Sequence, residues 1–211
     1  MHALHGFIVH VEKHIEDELT HGSLTVKIDS QLNLVRNAVT KGIIHALPLH
    51  FTHHLIDIGC EIVFDPRITQ MLNTKGVFTH SKHLLDEEKK LYHIPFLQDV
   101  NFVFAIKGTN GEWINVSDHD ILKPIEVPQW HKDEFGLQYK NESYDNYKEG
   151  IAEMYLPTTQ SEETGFKKGL ECYFKKGIEW IIELDGEKFY AIRNRYVYTT
   201  KQILDDLPGR D

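Results

Sequence analysis

Lys41-Gly42-Ile43-Ile44-His45-Ala46-Leu47-Pro48, followed after a polar loop by Ile58-Gly59-Cys60-Glu61-Ile62-Val63-Phe64, sets the reading of the whole chain. A similar pair returns as Glu149-Gly150-Ile151-Ala152-Glu153-Met154-Tyr155-Leu156-Pro157 and Phe166-Lys167-Lys168-Gly169-Leu170-Glu171-Cys172-Tyr173-Phe174, so that Gly42 answers Gly150 and Gly59 answers Gly169. Each copy continues into a hairpin signal, Asn110-Gly111 in the first and Asp185-Gly186 in the second, flanked by apolar runs at 103–106, 113–116, 180–184 and 189–192. A type I′ turn needs positive φ at both central residues, which Asx-Gly supplies. Four markers in one order favour duplication over chance and predict an all-β protein of two tandem antiparallel units.

The chain has 211 residues, enough for two units of roughly 100 residues with a modest core each, divided as 1–127 and 128–211. Its charge of -9 is evenly spread: 11 basic against 16 acidic residues over 1–127, and 12 against 16 over the rest. Neither half offers the basic face that nucleic acid requires. No apolar run reaches the roughly 20 residues of a membrane span, and Met1-His2-Ala3-Leu4-His5-Gly6 lacks the basic region of a signal peptide, so a soluble cytoplasmic protein is expected. Cys60 and Cys172 share the apolar parity of their strands, the setting of small buried hydrophobes rather than a disulfide or metal pair. All fourteen histidines lie at or before His131.

Phe7 to Glu12 alternates as a first strand, with Phe7, Val9 and Val11 on one face. From Lys13 to Val39 the pattern dissolves into a long, polar, acidic loop interrupted by Gly22. Within it Ser23-Leu24-Thr25-Val26-Lys27-Ile28 alternates, either as an ordinary edge strand or as a recognition segment for a partner's sheet edge or groove. His45 and Glu153 are expected to face outward, and Ile44 with Ala152 and Ala46 with Met154 inward. Residues 66–99 have no counterpart under this alignment and read as an insertion, with room for one short helix over 81–93 capped by Ser81. Residues 118–122 close the first unit. Residues 125–131 open the second, whose long loop is lost, with 135–139 standing where 23–28 stood. In the second hairpin Glu183 should face Lys188 and Ile182 should face Phe189.

His50, His53 and His54, with Asp57, gather three imidazoles and a carboxylate between the two strands of the first copy, donors suited to zinc or nickel. No fixed spacing such as HExxH accompanies them, and the loop reads as solvated, with no metal assigned.

The order of these pieces resembles the co-chaperonin (GroES) family. The residues that carry the likeness are 4–11, 22–26, 41–46, 58–64 and 118–122, the last read as Asp118-His119-Asp120-Ile121-Leu122 against that family's "sDIL" ending. The resemblance implies two tandem GroES-like β-barrels, as in plastid-type double or phage-type co-chaperonins, with a mobile loop at about 13–39 in the first. It also implies a homo-oligomeric ring that caps a GroEL-type chaperonin, with ATP bound by the partner and neither cofactor nor catalytic residue in this chain. The partner-binding segment would be Gly22, Ser23, Leu24, Thr25 and Val26, although Ser23 and Thr25 break the three-residue aliphatic run of that family.

Two other classes stand against this reading. The barrels are alternatively a structural, virion or scaffold component that keeps the fold without chaperonin binding. A histidine-metal enzyme would rest on His50, His53 and His54 alone, since the sequence has no GxSxG, P-loop, Rossmann or CxxC pattern.

Overall fold

The computed structural model describes residues 5–12, 18–21, 24–27, 40–69, 81–97, 100–127, 130–132, 138–140 and 147–198. They form two compact units, Met1–Ser117 and Asp118–Asp211. The division falls ten residues before the expected one because residues 118–122 do not end the first unit. They lead into and form the start of the strand His119–Glu126, the first sheet strand of the second.

In the first unit the strands are β1 (Gly6–His10), β2 (Glu18–His21), β3 (Leu24–Lys27), β4 (Lys41–Ala46) and β5 (Glu61–Phe64), followed by a 3₁₀ turn at Pro66–Ile68. Then come β6 (Leu84–Asp86), β7 (Leu91–Leu97), β8 (Val100–Asn101), β9 (Val103–Lys107) and β10 (Trp113–Asn115). The sheet order is β10-β9-β5-β4-β1-β7-β6, with β8 on β7, and β2 and β3 form a separate two-stranded sheet. In the second unit the strands are β11 (His119–Glu126), β12 (Trp130–Lys132), β13 (Gln138–Lys140) and β14 (Tyr147–Leu156), then helix α1 (Thr159–Glu163). They continue as β15 (Glu171–Phe174), β16 (Trp180–Leu184), β17 (Glu187–Arg193) and β18 (Val197–Tyr198). Here the order is β16-β17-β11-β14-β15-β18, with β12 and β13 apart. The fold is all-β, every strand pair is antiparallel, and neither sheet closes among the described residues.

Placed side by side, β9-β5-β4-β1-β7-β6 and β18-β15-β14-β11-β17-β16 are the same path. Individual bonds fix the correspondence. Gly59 N–H donates to Ile44 O and Ile44 N–H to Cys60 O, at 2.8 and 2.9 Å; Gly169 N–H donates to Met154 O and Met154 N–H to Leu170 O, both at 2.8 Å. Asp65 N–H donates to Phe102 O as Lys175 N–H does to Tyr196 O, and Phe96 N–H to His5 O as Asn194 N–H does to Asp118 O. The register breaks at Ile8/Val9 in one unit and at Ile121/Leu122 in the other.

This correspondence corrects the alignment drawn from sequence in two ways. Gly59 and Gly169 are equivalent, both left-handed at φ +91° and +87°, but Ile44 matches Met154, so the strand before them is displaced by two residues. Gly42 and Gly150 therefore have different tasks. A Cβ on Gly42 would sit 2.3 Å from Val9 Cγ1 and 2.7 Å from His10 O, whereas Gly150 is left-handed at φ +69°. An even displacement preserves side-chain parity, which is why Ile44, Ala46, Ala152 and Met154 are buried and His45 and Glu153 exposed as expected.

The second correction concerns residues 66–99. They are not an insertion, and apart from the 3₁₀ turn at Pro66–Ile68 they contain no helix among the described residues. They hold β6 and β7, the counterpart of the β16–β17 hairpin, while β10 has no described equivalent in the second unit. Ser81 ties this segment down instead of capping a helix: its hydroxyl donates to Ile68 O at 2.5 Å and accepts from His83 N–H at 3.1 Å.

Asp185 and Gly186, at φ +50° and +83°, make the two-residue turn that Asp-Gly predicts, and Glu183 pairs with Lys188 and Ile182 with Phe189. Asn110-Gly111 behaves otherwise: β9 and β10 pair Lys107 with Trp113 across a longer loop, in which only Gly111 is left-handed. Phe7, Val9, Ile62, Phe64, Phe174, Ile182 and Phe189 are buried, and Leu170 is half-buried against the second core. Each such side chain contributes about 1.5–3 kcal/mol by leaving water.

Candidate functional site

The chain from the first to the second sheet strand of each unit carries a two-stranded hairpin that is off the sheet. In the first unit this is β2–β3, with Glu18 opposite Lys27, Leu19 opposite Val26, Thr20 opposite Thr25 and His21 opposite Leu24. Of the expected partner-binding residues, Leu24, Thr25 and Val26 therefore lie in a paired strand, while Gly22 and Ser23 lie outside the described residues, as does most of the loop at 13–39. Within the segment read as an edge strand or a recognition element, Leu24–Lys27 is a strand paired with β2 and not with the main sheet. The signal for it was present as two alternating runs separated by Gly-Ser.

The second unit does not lose this feature. Its opening strand is β11 rather than 125–131, and β12–β13 follows it, with Trp130 opposite Lys140, His131 opposite Tyr139 and Lys132 opposite Gln138. β13 stands where β3 stands, close to the segment expected there. Pro124 is accommodated in β11 because β17 pairs only with residues 119–122, leaving the missing N–H without a ladder partner to disappoint.

Around the base of β11 the second unit carries a buried polar cluster that the sequence did not single out. Asp120, fully buried, accepts from Thr158 N–H at 2.7 Å and from Ser161 Oγ at 2.8 Å. Thr158 in turn caps α1, its hydroxyl accepting from Ser161 N–H at 3.1 Å. Thr158 with Ser161 at the third helical position was the available sequence sign. Burial pushes the Asp120 carboxyl above its ordinary range against the pull of the Thr158 and Ser161 bonds and of His119. Burial, with the Asp120 charge near, pushes the Cys172 thiol up to about 12, so it stays protonated and inert. Cys60 is likewise buried and free. Asp118 is held below the carboxylate range by the imidazole of His119, whose Nδ1 lies 2.7 Å from Asp118 Oδ1.

In the histidine loop, His53 and His54 stack with centroids 5.1 Å apart, and His53 Nδ1 accepts from Leu55 N–H at 3.3 Å. His50 and His54 are exposed. Among the described residues no group of three or more His, Cys, Asp or Glu side chains is placed to hold a metal ion. Among the described residues, too, no helix is long and apolar enough to cross a membrane.

No family model, curated protein or solved structure matches the chain. Its two halves are therefore each other's reference, and what they share most conspicuously is an off-sheet hairpin at the same point of an identical strand path.

Proposed function

We propose that this protein is a tandem co-chaperonin, two GroES-like barrels in one chain that assemble into a ring and cap a GroEL-type chaperonin. The observation that carries the reading is the repeated strand path with an off-sheet hairpin between its first and second strands, which in the first unit includes Leu24, Thr25 and Val26. A two-stranded hairpin that is not part of the main sheet is the kind of element that can add to a partner's sheet edge or fill a groove. Burying Leu24 and Val26 in a partner contributes roughly 1.5–3 kcal/mol each, too little for one chain alone. Several copies in a ring raise the effective concentration of later contacts, so weak hairpins hold together and release together. The nucleotide cycle and the folding work belong to the chaperonin, and this chain needs no catalytic residue, cofactor or metal.

The test is a pull-down with a GroEL-type chaperonin with and without ATP, using the parent and Leu24→Ser/Val26→Ser. Nucleotide-dependent capture of the parent, lost in the double variant while the assembly remains intact, is the expected result. Absence of capture under either condition would leave the scaffold role in its place.

A further inference from the structure

We infer that His83 and His93, backed by His5, form an acid-sensitive latch that holds edge strand β6 on β7 at neutral pH and lets it go when the imidazoles take up protons.

The geometry comes first. β6 is the last strand of the first sheet and pairs with β7 through Leu84 opposite Tyr92. The same contact extends one pair further, where His93 N–H donates to His83 O at 2.8 Å. The His93 ring lies against the backbone of β1, close enough that a Cβ on Gly6 would be 2.6 Å from its Nε2. The His83 ring packs on Phe102, with centroids 5.9 Å apart, and the guanidinium of Arg67 lies 5.1 Å from the centre of that same ring. The groups facing the two imidazoles are thus His5 from the start of β1, Lys82 beside β6, and Asp65 and Arg67 from the 3₁₀ turn.

Only Asp65 among these could balance a new positive charge, and it is already committed. Its two oxygens accept from Arg67 N–H, Nε and Nη2 at 2.5–3.0 Å. Protonation would therefore place charge on half-buried rings beside Lys82, Arg67 and each other. Burial is the main reason both imidazoles resist protonation; Lys82 and His93 add to it for His83, and His5 for His93. A bond to the His93 backbone and the Asp65 charge pull His83 the other way without prevailing. Groups whose folded values are lowered contribute stability that is present above their unfolded value, about 6.5, and lost as pH falls through the folded one. Among the described residues, the other ties of the segment that leads into β6 are the Ser81 bonds to Ile68 O and from His83 N–H and the packing of Leu84 on the first core.

The second unit is a built-in control. By the correspondence of β1 with β11, β6 with β16 and β7 with β17, the positions of His5, His83 and His93 hold Asp118, Trp180 and Ala191. No imidazole stands at the equivalents of His83 and His93, and His119, at the Gly6 position, lies against Asp118, so β16 should stay on β17 over the same range.

Hydrogen exchange on the intact chain at pH 7 and pH 5, corrected for intrinsic rates, tests this. The His93 amide, which donates to His83 O, should lose protection at pH 5, while the β16–β17 amides do not change. His83→Gln/His93→Gln should abolish the loss, and His54→Gln should leave it intact. Equal protection at both pH values, or a loss that persists in the double variant, would overturn the latch. Should the double variant not fold, NMR titration of the parent decides: His83 and His93 must titrate below the ordinary imidazole value of about 6.5, and midpoints at or above it refute the proposal.

Discussion

At the same three places in the duplicated path, the two units have built opposite interiors. The first has Phe7, Phe51 and Phe96, whose rings meet edge to face at centroid distances of 5.1, 5.2 and 5.5 Å. By the bonds that equate the units, Asp120 and Asn194 stand where Phe7 and Phe96 do, and Ser161 lies seven residues past Met154 as Phe51 lies past Ile44. Phe7 and Asp120 are both fully buried, yet one is surrounded by rings and the other by a backbone N–H and a hydroxyl. Inverting a core position from apolar to charged is tolerable only when the whole set of partners changes with it, since an unpaired buried polar group costs its full desolvation. A smaller exchange follows the same rule. Gly6 in β1 leaves room for the His93 ring from β7, whereas the second unit has His119 at the glycine position and Ala191 at the histidine position.

The harshest way to break this comparison is to move one member of a set alone. Phe7→Ala should cost about 3–5 kcal/mol by opening a ring-sized cavity. Phe7→Asp should cost more, because its carboxylate would find two aromatic rings and no donor, and the first unit should fail to fold. Urea unfolding followed by hydrogen exchange in each unit separately would show it. A Phe7→Asp first unit as stable as the Phe7→Ala one would mean that the aromatic set is not what excludes charge.

A milder test works on the polar set. Asp120→Ala strands the Thr158 N–H and should lower the second unit by about 1–3 kcal/mol. Asp120→Asn keeps an acceptor for Thr158, and its amide can donate to Ser161 Oγ while that hydroxyl turns to Thr158 Oγ1, 3.0 Å away. Because burial raises the Asp120 value in the folded unit, its protonated form suits the fold. That contribution is full below the unfolded value, about 3.9, and is lost as pH rises through the folded one. Relative to Asp120→Asn, the parent should therefore be least stable at neutral pH and recover on acidification. Asp118, shifted downward, acts in the opposite direction but is common to both proteins and cancels in the difference. A difference in urea midpoint that does not change between pH 7 and pH 4.5 would contradict the assignment.

Periodicity was enough to read the all-β class, the strand faces and the Gly59/Gly169 correspondence, because parity and positive φ leave marks on single residues. The displacement by two at Gly42 and Gly150 was invisible for the same reason: it leaves every face unchanged, and both positions hold glycine for unrelated causes. Residues 81–97 were misread because Leu84, Leu85, Leu91 and Tyr92 suit a helical stripe as well as two short strands, and the Glu87-Glu88-Lys89-Lys90 turn has no Asx-Gly to announce it. Residues 118–122 match a family ending in letters, but their partners β14 and β17 lie far along the chain. Short motifs carry no information about which distant strand they will join. The polar cluster is hidden for that reason too, since Asp120 meets Ser161 from 41 residues away.

The smallest effect expected lies in the matching hairpins β6–β7 and β16–β17, each of which turns through one left-handed residue other than glycine: Lys90 at φ +51° and Asp185 at φ +50°. For an L-residue this conformation costs roughly 1–2 kcal/mol, less for Asp or Asn, whose short polar side chains bond locally. Asp185 thus suits its turn and Lys90 does not. Lys90 is kept in place by other bonds, its carbonyl accepting from Val11 N–H at 3.0 Å and its ammonium donating to Glu12 O at 2.6 Å. The carbonyl bond survives any substitution, and the ammonium bond is exposed and contributes little. Lys90→Asn should accordingly raise the stability of the first unit by a few tenths of a kcal/mol, and Asp185→Lys should lower that of the second by about 0.5–1 kcal/mol. Paired denaturation curves resolve differences of that size when the slopes agree. If both variants shift in the same direction, backbone preference does not govern the two turns, and the Lys90 contacts to the end of β1 matter more than the strain they hold.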